Sequence, residues 1–178
     1  MDVNLTQQFQ KDFALAMQTL KNAVTNKSFK KRKLITDWIV KWALYLANED
    51  GEQPYRLRGY RQGQIVLVDF GFRVGNELGG RHYAVVLEKD SPLKSGTIIL
   101  VPISSYDPQK GEKARQYNVD LGIGAVGNSQ VGAEVLISQI GTYSKMRIED
   151  VKKGVVPLEK FNEILDKINA KMSKKQKN

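Results

Sequence analysis

The period of the apolar residues changes once along this chain, and that change limits the fold more than any other feature. Up to residue 48 apolar side chains recur every three or four residues. Leu5, Phe9, Phe13, Met17, Leu20 and Val24 make one stripe, and Leu34, Ile35, Trp38, Trp42, Tyr45 and Leu46 make a second. Such spacing belongs to amphipathic helices, so the two stripes predict a helical hairpin whose link holds the basic stretch Lys27 to Lys33. From Gln64 the chain is written instead in short β-branched runs, QIVLVDF, HYAVVLEK, TIILVPIS, YNVDLG and EVLISQI, parted by Gly, Pro, Asp and Ser. Five such runs without long helices between them predict a small antiparallel barrel. Helical spacing returns after Pro157 in Leu158, Phe161, Leu165, Ile168 and Met172. The expected organisation is mainly β (α+β): a helical hairpin and linker over 1–60, a barrel over 61–156, and a C-terminal helix with a basic tail over 157–178. Gly51, Pro54, Gly59 and Gly63 mark the linker.

Charge and residue usage narrow the function. With 28 Lys and Arg against 19 Asp and Glu, the formal charge of +9 describes a surface attracted to polyanions, of which nucleic acid is the first to consider. Cysteine is absent, which removes disulfides, thiolate metal sites and cysteine nucleophiles together. The start MDVNLTQQFQKDF has no secretory signal pattern, and no apolar run approaches the ~20 residues that span a bilayer, so a soluble cytoplasmic protein with no membrane contact is expected. One His and no Cys cannot build a usual zinc site; Asp69 and Glu77 are the carboxylates left for a magnesium ion, and neither a metal nor another cofactor is expected. A nuclease without metal can work with His, Arg, Lys, carboxylates and hydroxyls. Such groups suit RNA, because the neighbouring 2′-hydroxyl supplies the nucleophile and the protein need only move protons and offset phosphorane charge.

The stretch GQIVLVDFGFRVGNELGGRHYAVVLEKD, then SGTIILVPISS, then VLISQIGTYSKMRI, resembles the MazF/PemK family of toxin endoribonucleases, with the three blocks in the family's order over roughly residues 60 to 170. The resemblance implies an SH3-like, PemK/CcdB-like barrel that forms a homodimer, cleaves single-stranded RNA or mRNA at short sequences, and is neutralised by a cognate antitoxin protein. It implies further that the loop from Gly71 to Gly80 lines the RNA groove, which makes Arg73, Gly75, Asn76, Gly79 and Gly80 candidate RNA contacts. The family's catalytic pair is an Arg just after a Gly-Gly turn and a Thr or Ser at the end of the third strand. Ser104 matches the second position. At the first the chain reads His82-Tyr83 with Arg81 one step earlier, so either His82 has taken the Arg role or the alignment slips by one residue. Successive side chains on a strand point to opposite faces, so Arg81 and His82 cannot both enter one site.

His82 suits proton transfer at neutral pH, since an unperturbed imidazole titrates near 6.5 while an Arg stays protonated. Two protons must move in this cleavage, and Glu77 is a candidate base beside His82. Arg73 and Arg81 offer guanidinium groups to phosphate oxygens. In the third block Gln139 and Thr142 match positions that the resemblance places near the groove floor, Gly141 stands where an Arg is common, and Lys145 and Arg147 are the nearby cations. Phe70, Phe72, Tyr83 and Tyr106 are candidate stacking surfaces for unpaired bases, Phe70 being better suited to the core. The N-terminal hairpin has no counterpart in the minimal family barrel. It reads as a structural cap that buries Trp38 and Trp42 against the barrel or a dimer mate, as a cover over the RNA groove, or as an added basic RNA-binding element at Lys30, Lys31, Arg32 and Lys33. Two other functions share the barrel: a module that binds RNA or protein without cutting, and a poison of DNA topoisomerase.

Overall fold

The computed structural model describes residues 3–51, 58–89, 93, 95–127 and 130–173. The linker residues 52–57 and the tail 174–178 lie outside them. By contacts the chain divides into two units, Met1–Ala47 and Asn48–Asn178.

The first unit is helical, with α1 over Val3–Thr25 and α2 over Phe29–Asn48. Because α2 begins at Phe29, Lys30, Lys31, Arg32 and Lys33 lie in its first turns and not in the link. Ser28 supports that start: its carbonyl accepts the Arg32 N–H at 2.8 Å, and its hydroxyl accepts the Lys31 N–H at 3.5 Å. Both helices have the expected stripes, yet the stripes are not buried. Among the described residues of this unit only Ile35 is buried, while Leu5, Phe9, Phe13, Met17, Leu34, Trp42 and Leu46 are exposed. Trp38 is partly buried with Tyr45 edge-on to it, but Trp42 remains 50% exposed, so the unit does not bury both tryptophans.

Among its described residues the second unit holds seven antiparallel strands: β1 (Gln64–Asp69), β2 (Arg81–Val86), β3 (Thr97–Tyr106), β4 (Val119–Ile123), β5 (Gly132–Val135), β6 (Gly141–Ser144) and β7 (Ile148–Val155). They run in the order β4-β5-β3-β2-β1-β7, with β6 also on β3. The run EVLISQI is not one strand. It leaves β5 at Val135 and makes a 3-10 turn at Ile137–Gln139; β6 begins only after it, at Gly141, and neither β6 nor β7 stands out by apolar content. Strand β3 is shared. Thr97–Leu100 pair with β6, Leu100–Pro102 with β2, and Ile103–Tyr106 with β5. Pro102, which has no N–H for a ladder, stands where β3 changes partner. Among the described residues no pairing joins β4 to β7, so the SH3-like barrel is open.

Both faces of the central strands are covered. Val66, Val68 and Phe70 share one core with Ala84, Val86, Ile98, Leu100 and Ile148. On the other face Ile65, Val85, Val101, Ile103, Val119 and Val135 pack with Phe161, Ile164 and Ile168 of α3 (Leu158–Met172). That helix completes a core, and each of its three buried side chains contributes about 1.5–3 kcal/mol of apolar transfer. Its buried face runs 161-164-168, which leaves Leu158 and Met172, both expected on it, exposed at its two ends. No helix among the described residues is long and apolar enough to cross a membrane.

Candidate active site

The β1–β2 hairpin sets the geometry. Its pairs run Val68 with His82 and Asp69 with Arg81, and beyond the strands the Phe70 N–H donates to the Gly80 carbonyl at 2.9 Å and the Gly80 N–H to Gly71 at 2.7 Å. Such a tight base needs the two glycines for different reasons. A Cβ on Gly79 would stand 2.6 Å from the Gly71 carbonyl oxygen, whereas Gly80 has a φ of +84° with open space beside it. The Asp69 carboxylate, buried, accepts the Gly71 N–H at 2.8 Å.

Because the register pairs His82 with Val68, His82 lies on the face of Val66, Val68, Ala84 and Val86, and Arg81 and Tyr83 lie on the other. The β2–β3 ladder ends at Ala84 with Pro102; its register, carried two residues further, would bring His82 opposite Ser104, which itself pairs with Glu134 on β5. His82 is half-buried, and burial lowers its pKa below the ordinary 6.5 despite the backbone carbonyls of Ile103 and Gly79, which bond to the ring and favour the protonated form. Burial thus favours the uncharged ring, the form that accepts a proton. Arg81 is occupied elsewhere, in an ion pair with Glu149 on β7. Tyr83 packs partly buried against the core that includes Val85. Neither shares the face of His82.

Gln139 ties the loop down. Its side-chain oxygen accepts the Leu78 N–H at 3.2 Å, and its amide donates to the Asn76 carbonyl at 3.4 Å. Arg73 folds back within the same loop, with Nε donating to the Phe70 carbonyl at 2.9 Å and its guanidinium 5.5 Å above the centre of the Tyr143 ring. Glu77 is exposed, 4.0 Å from Arg73, and Gly75 takes a φ of +61° at the loop tip. Tyr143 itself stands edge-on to Phe70, 4.9 Å between ring centres. Burial raises its pKa, against the lowering effect of Arg73 and Arg147. Its ring covers Gly141, where an added Cβ would come within 3.0 Å of the Tyr143 hydroxyl. Arg147 donates to the Asp69 carbonyl at 3.3 Å. Arg73, Gly75, Asn76, Glu77, Gly79 and Gly80 thus belong to one loop next to His82, tethered by Gln139, with Arg147 at its base.

Two third-block residues do not join them. Thr142 pairs with Ile99 and faces away from Gly141 and Tyr143, exposed. Lys145 departs from the expected surface contact altogether. It is fully buried, its Nζ donating to the Arg58 carbonyl at 3.3 Å and lying 6.0 Å from the centre of the Tyr60 ring, and desolvation lowers its pKa despite Glu88 nearby. A cation sealed in this way holds the fold and cannot meet a phosphate on the surface.

Sequence reasoning passed over Tyr143 and Glu134. Tyr143 lies in a short strand whose apolar signal is weak. Glu134 pairs with Ser104, is only 3% exposed, and accepts the Arg115 N–H at 2.8 Å and the Asn118 side-chain amide at 2.9 Å. A carboxylate inside an apolar run was the available signal for it. Among the described residues no three His, Asp or Glu side chains gather as a metal site.

Residues 61–172 match the family described as PemK-like, MazF-like toxin of type II toxin-antitoxin system. Among solved structures, MazF from Deinococcus radiodurans is 21% identical, with 65% of this chain and 97% of that chain covered and a TM-score of 0.51. A MazE–MazF structure from the same organism is 24% identical over 64% of this chain and 97% of that one, TM-score 0.44. An endoribonuclease from a mycobacterial species, in complex with its cognate antitoxin, is 17% identical over 62% and 90%, TM-score 0.42. No curated protein matches the sequence. The first structural likeness supports the barrel fold, and the family match covers more than half of the sequence. The chain belongs to the PemK-like, MazF-like toxin family of type II toxin–antitoxin systems.

Proposed function

We propose that this toxin is a metal-independent endoribonuclease that cleaves single-stranded RNA, including mRNA, at specific short sequences. The observation that carries the reading is the half-buried His82 at the start of β2, on a register that continues to Ser104 of β3, beside a loop tied down by Gln139; burial, which lowers its pKa, favours the base form of its ring. His82 takes the proton of the 2′-hydroxyl, whose oxygen attacks the adjacent phosphorus. The bond to the 5′-oxygen breaks, and that oxygen is protonated from solvent through the Ser104 hydroxyl. Arg73 offsets the charge of the phosphorane. Glu77 is the less suitable base, because pairing it with His82 as the acid requires an imidazolium that burial disfavours. The products are a 2′,3′-cyclic phosphate and a 5′-hydroxyl. Membership of the family supports a cognate antitoxin protein as partner and a homodimer as the working form.

Incubating the protein with a long RNA in excess EDTA and mapping the new ends tests the mechanism. Cutting should persist, and a substrate with one 2′-deoxy sugar at the scissile step should resist. Strict dependence on magnesium, or cutting of the deoxy substrate, would overturn it. One observation favours a second reading. Arg81 is engaged by Glu149, which leaves no Arg at the start of β2 on the His82 face, so a barrel that binds RNA without cutting it is the alternative. It would show salt-dependent RNA binding, with a log–log slope of about −0.7 per neutralised phosphate, and no new ends.

A further inference from the structure

The charges of α2 are laid out against its own dipole. A helix favours acidic groups at its N-terminus and basic ones at its C-terminus. Here Lys30, Lys31 and Arg32, all exposed, crowd the first turn, no acidic residue stands there, no basic residue stands in the last turn, and the exposed Glu49 and Asp50 follow the C-terminus. Between these ends the helix is apolar over most of its circumference, and Leu34, Trp42 and Leu46 are exposed. A helix of that composition is ordinarily covered on several sides. On α1 the stripe Leu5, Phe9, Phe13 and Met17 is exposed as well, with Phe9 and Phe13 stacked 5.8 Å apart.

We propose that the two N-terminal helices form a docking surface for the same helices of a second copy of this chain, with α2 antiparallel to α2 across a two-fold axis near Trp42. In that arrangement each basic start lies beside the partner's acidic end, and the two opposed helix dipoles turn from a local cost into an attraction. Twenty residues give α2 a length of about 30 Å, and at a width of roughly 10 Å it offers about 300 Å². That is too little alone for a specific interface. Engagement of the α1 stripe as well is needed to reach about 600 Å² per partner, or about 1,200 Å² in total, the lower bound of a standard one. The surface lies outside the barrel, so this association stands or falls independently of RNA cleavage.

Both tryptophans of the chain, Trp38 and Trp42, are on α2, so tryptophan emission of the full-length protein reports on this helix alone. Raising the concentration should shift the emission to the blue. Replacing Glu49 and Asp50 by Lys should move the transition to at least tenfold higher concentration, and mixing that variant with Lys31→Glu/Arg32→Glu protein should restore it. The absence of native cysteine allows a geometric test: on oxidation, a mixture of Arg32→Cys and Glu49→Cys proteins should give mainly the mixed disulfide dimer. Equal yields of mixed and like-with-like dimers would overturn the antiparallel arrangement. Emission independent of concentration without cross-linking would overturn the self-association, and a blue shift produced only by anionic vesicles would assign the surface to a membrane instead.

Discussion

Val85, Val101 and Ile164 in the barrel unit are completely removed from solvent, whereas Leu5, Phe9 and Phe13 in the helical unit are all more than half exposed. The two units use similar apolar side chains, so the difference lies in how each is arranged. Strands β1 to β3 are apolar on both faces, and one unit supplies a cover for each, α3 included. On the helices Leu5, Phe9, Phe13, Leu34, Trp42 and Leu46 remain exposed. Burial therefore places the stability of the chain in the barrel, which also carries the proposed cleavage site, while the exposed stripes of the helices carry the proposed association.

The largest effect should come from the barrel's one imidazole. His82→Ala is expected to lower turnover by ~10² to 10⁴ fold while leaving RNA affinity near normal, as measured by single-turnover cleavage beside equilibrium binding. Acting as a base, His82 should make the rate rise with pH through a value below 6.5 and then level off. The same depression has a sign for stability: a group whose folded pKa is lowered contributes above its unfolded value, and that contribution is lost as pH falls through the folded one. The comparison breaks if His82→Ala cuts normally while a substitution in α1 or α2 abolishes cutting.

Next in size is a paired truncation. Ile164→Ala opens a cavity in a closed core and should cost about 2–5 kcal/mol in urea denaturation. Phe13→Ala removes a larger side chain from an exposed stripe and should cost less than about 0.5 kcal/mol at concentrations where the helices are not associated. Similar losses at the two sites would mean that the helical unit is already covered.

How much of this was legible follows the same division. The change of period at Gln64 located the barrel, because β-branched runs bounded by turn residues have few other solutions. It did not find β6, since the apolar run EVLISQI covers the end of β5 and a 3-10 turn, and the short strand after it, GTYS, has little apolar signal. The helices were legible as stripes, but whether a stripe is buried depends on a partner surface that periodicity does not encode. Within the site, strand alternation already required Arg81 and His82 to point apart. Which of them faces Ser104 needed the register of β1 with β2 and of β2 with β3. Lys145 was misread for a related reason, because a lysine in a polar stretch reads as surface until the Arg58 carbonyl and Tyr60 ring close over it.

A smaller effect is expected at the turn that holds the site. Gly79→Ala meets the Gly71 carbonyl, and relief of that contact should cost about 1–3 kcal/mol and loosen the loop. Gly80→Ala has open space and only an unfavourable φ, so it should cost about 1 kcal/mol. Thermal denaturation of the two variants should rank them in that order, and the reverse order would mean that the hairpin can open at Gly71 more easily than its hydrogen bonds suggest.

The smallest effect belongs to Arg81, and it sharpens the comparison within β2 itself. Its guanidinium is exposed, and its partner Glu149 is partly so, which places the ion pair among surface bridges that contribute about 0–1 kcal/mol. Arg81→Ala should therefore change stability only slightly. Cleavage should remain within a few fold of normal, because the side chain lies on the face opposite His82 and Ser104. Glu149→Gln provides the control, since it frees Arg81 without removing it: if the pair is structural alone, both variants show the same small loss in denaturation and neither changes turnover. Should Arg81→Ala abolish cutting while His82→Ala spares it, the catalytic face of β2 is the one that carries Arg81 and Tyr83, and the assignment of His82 and Ser104 fails together.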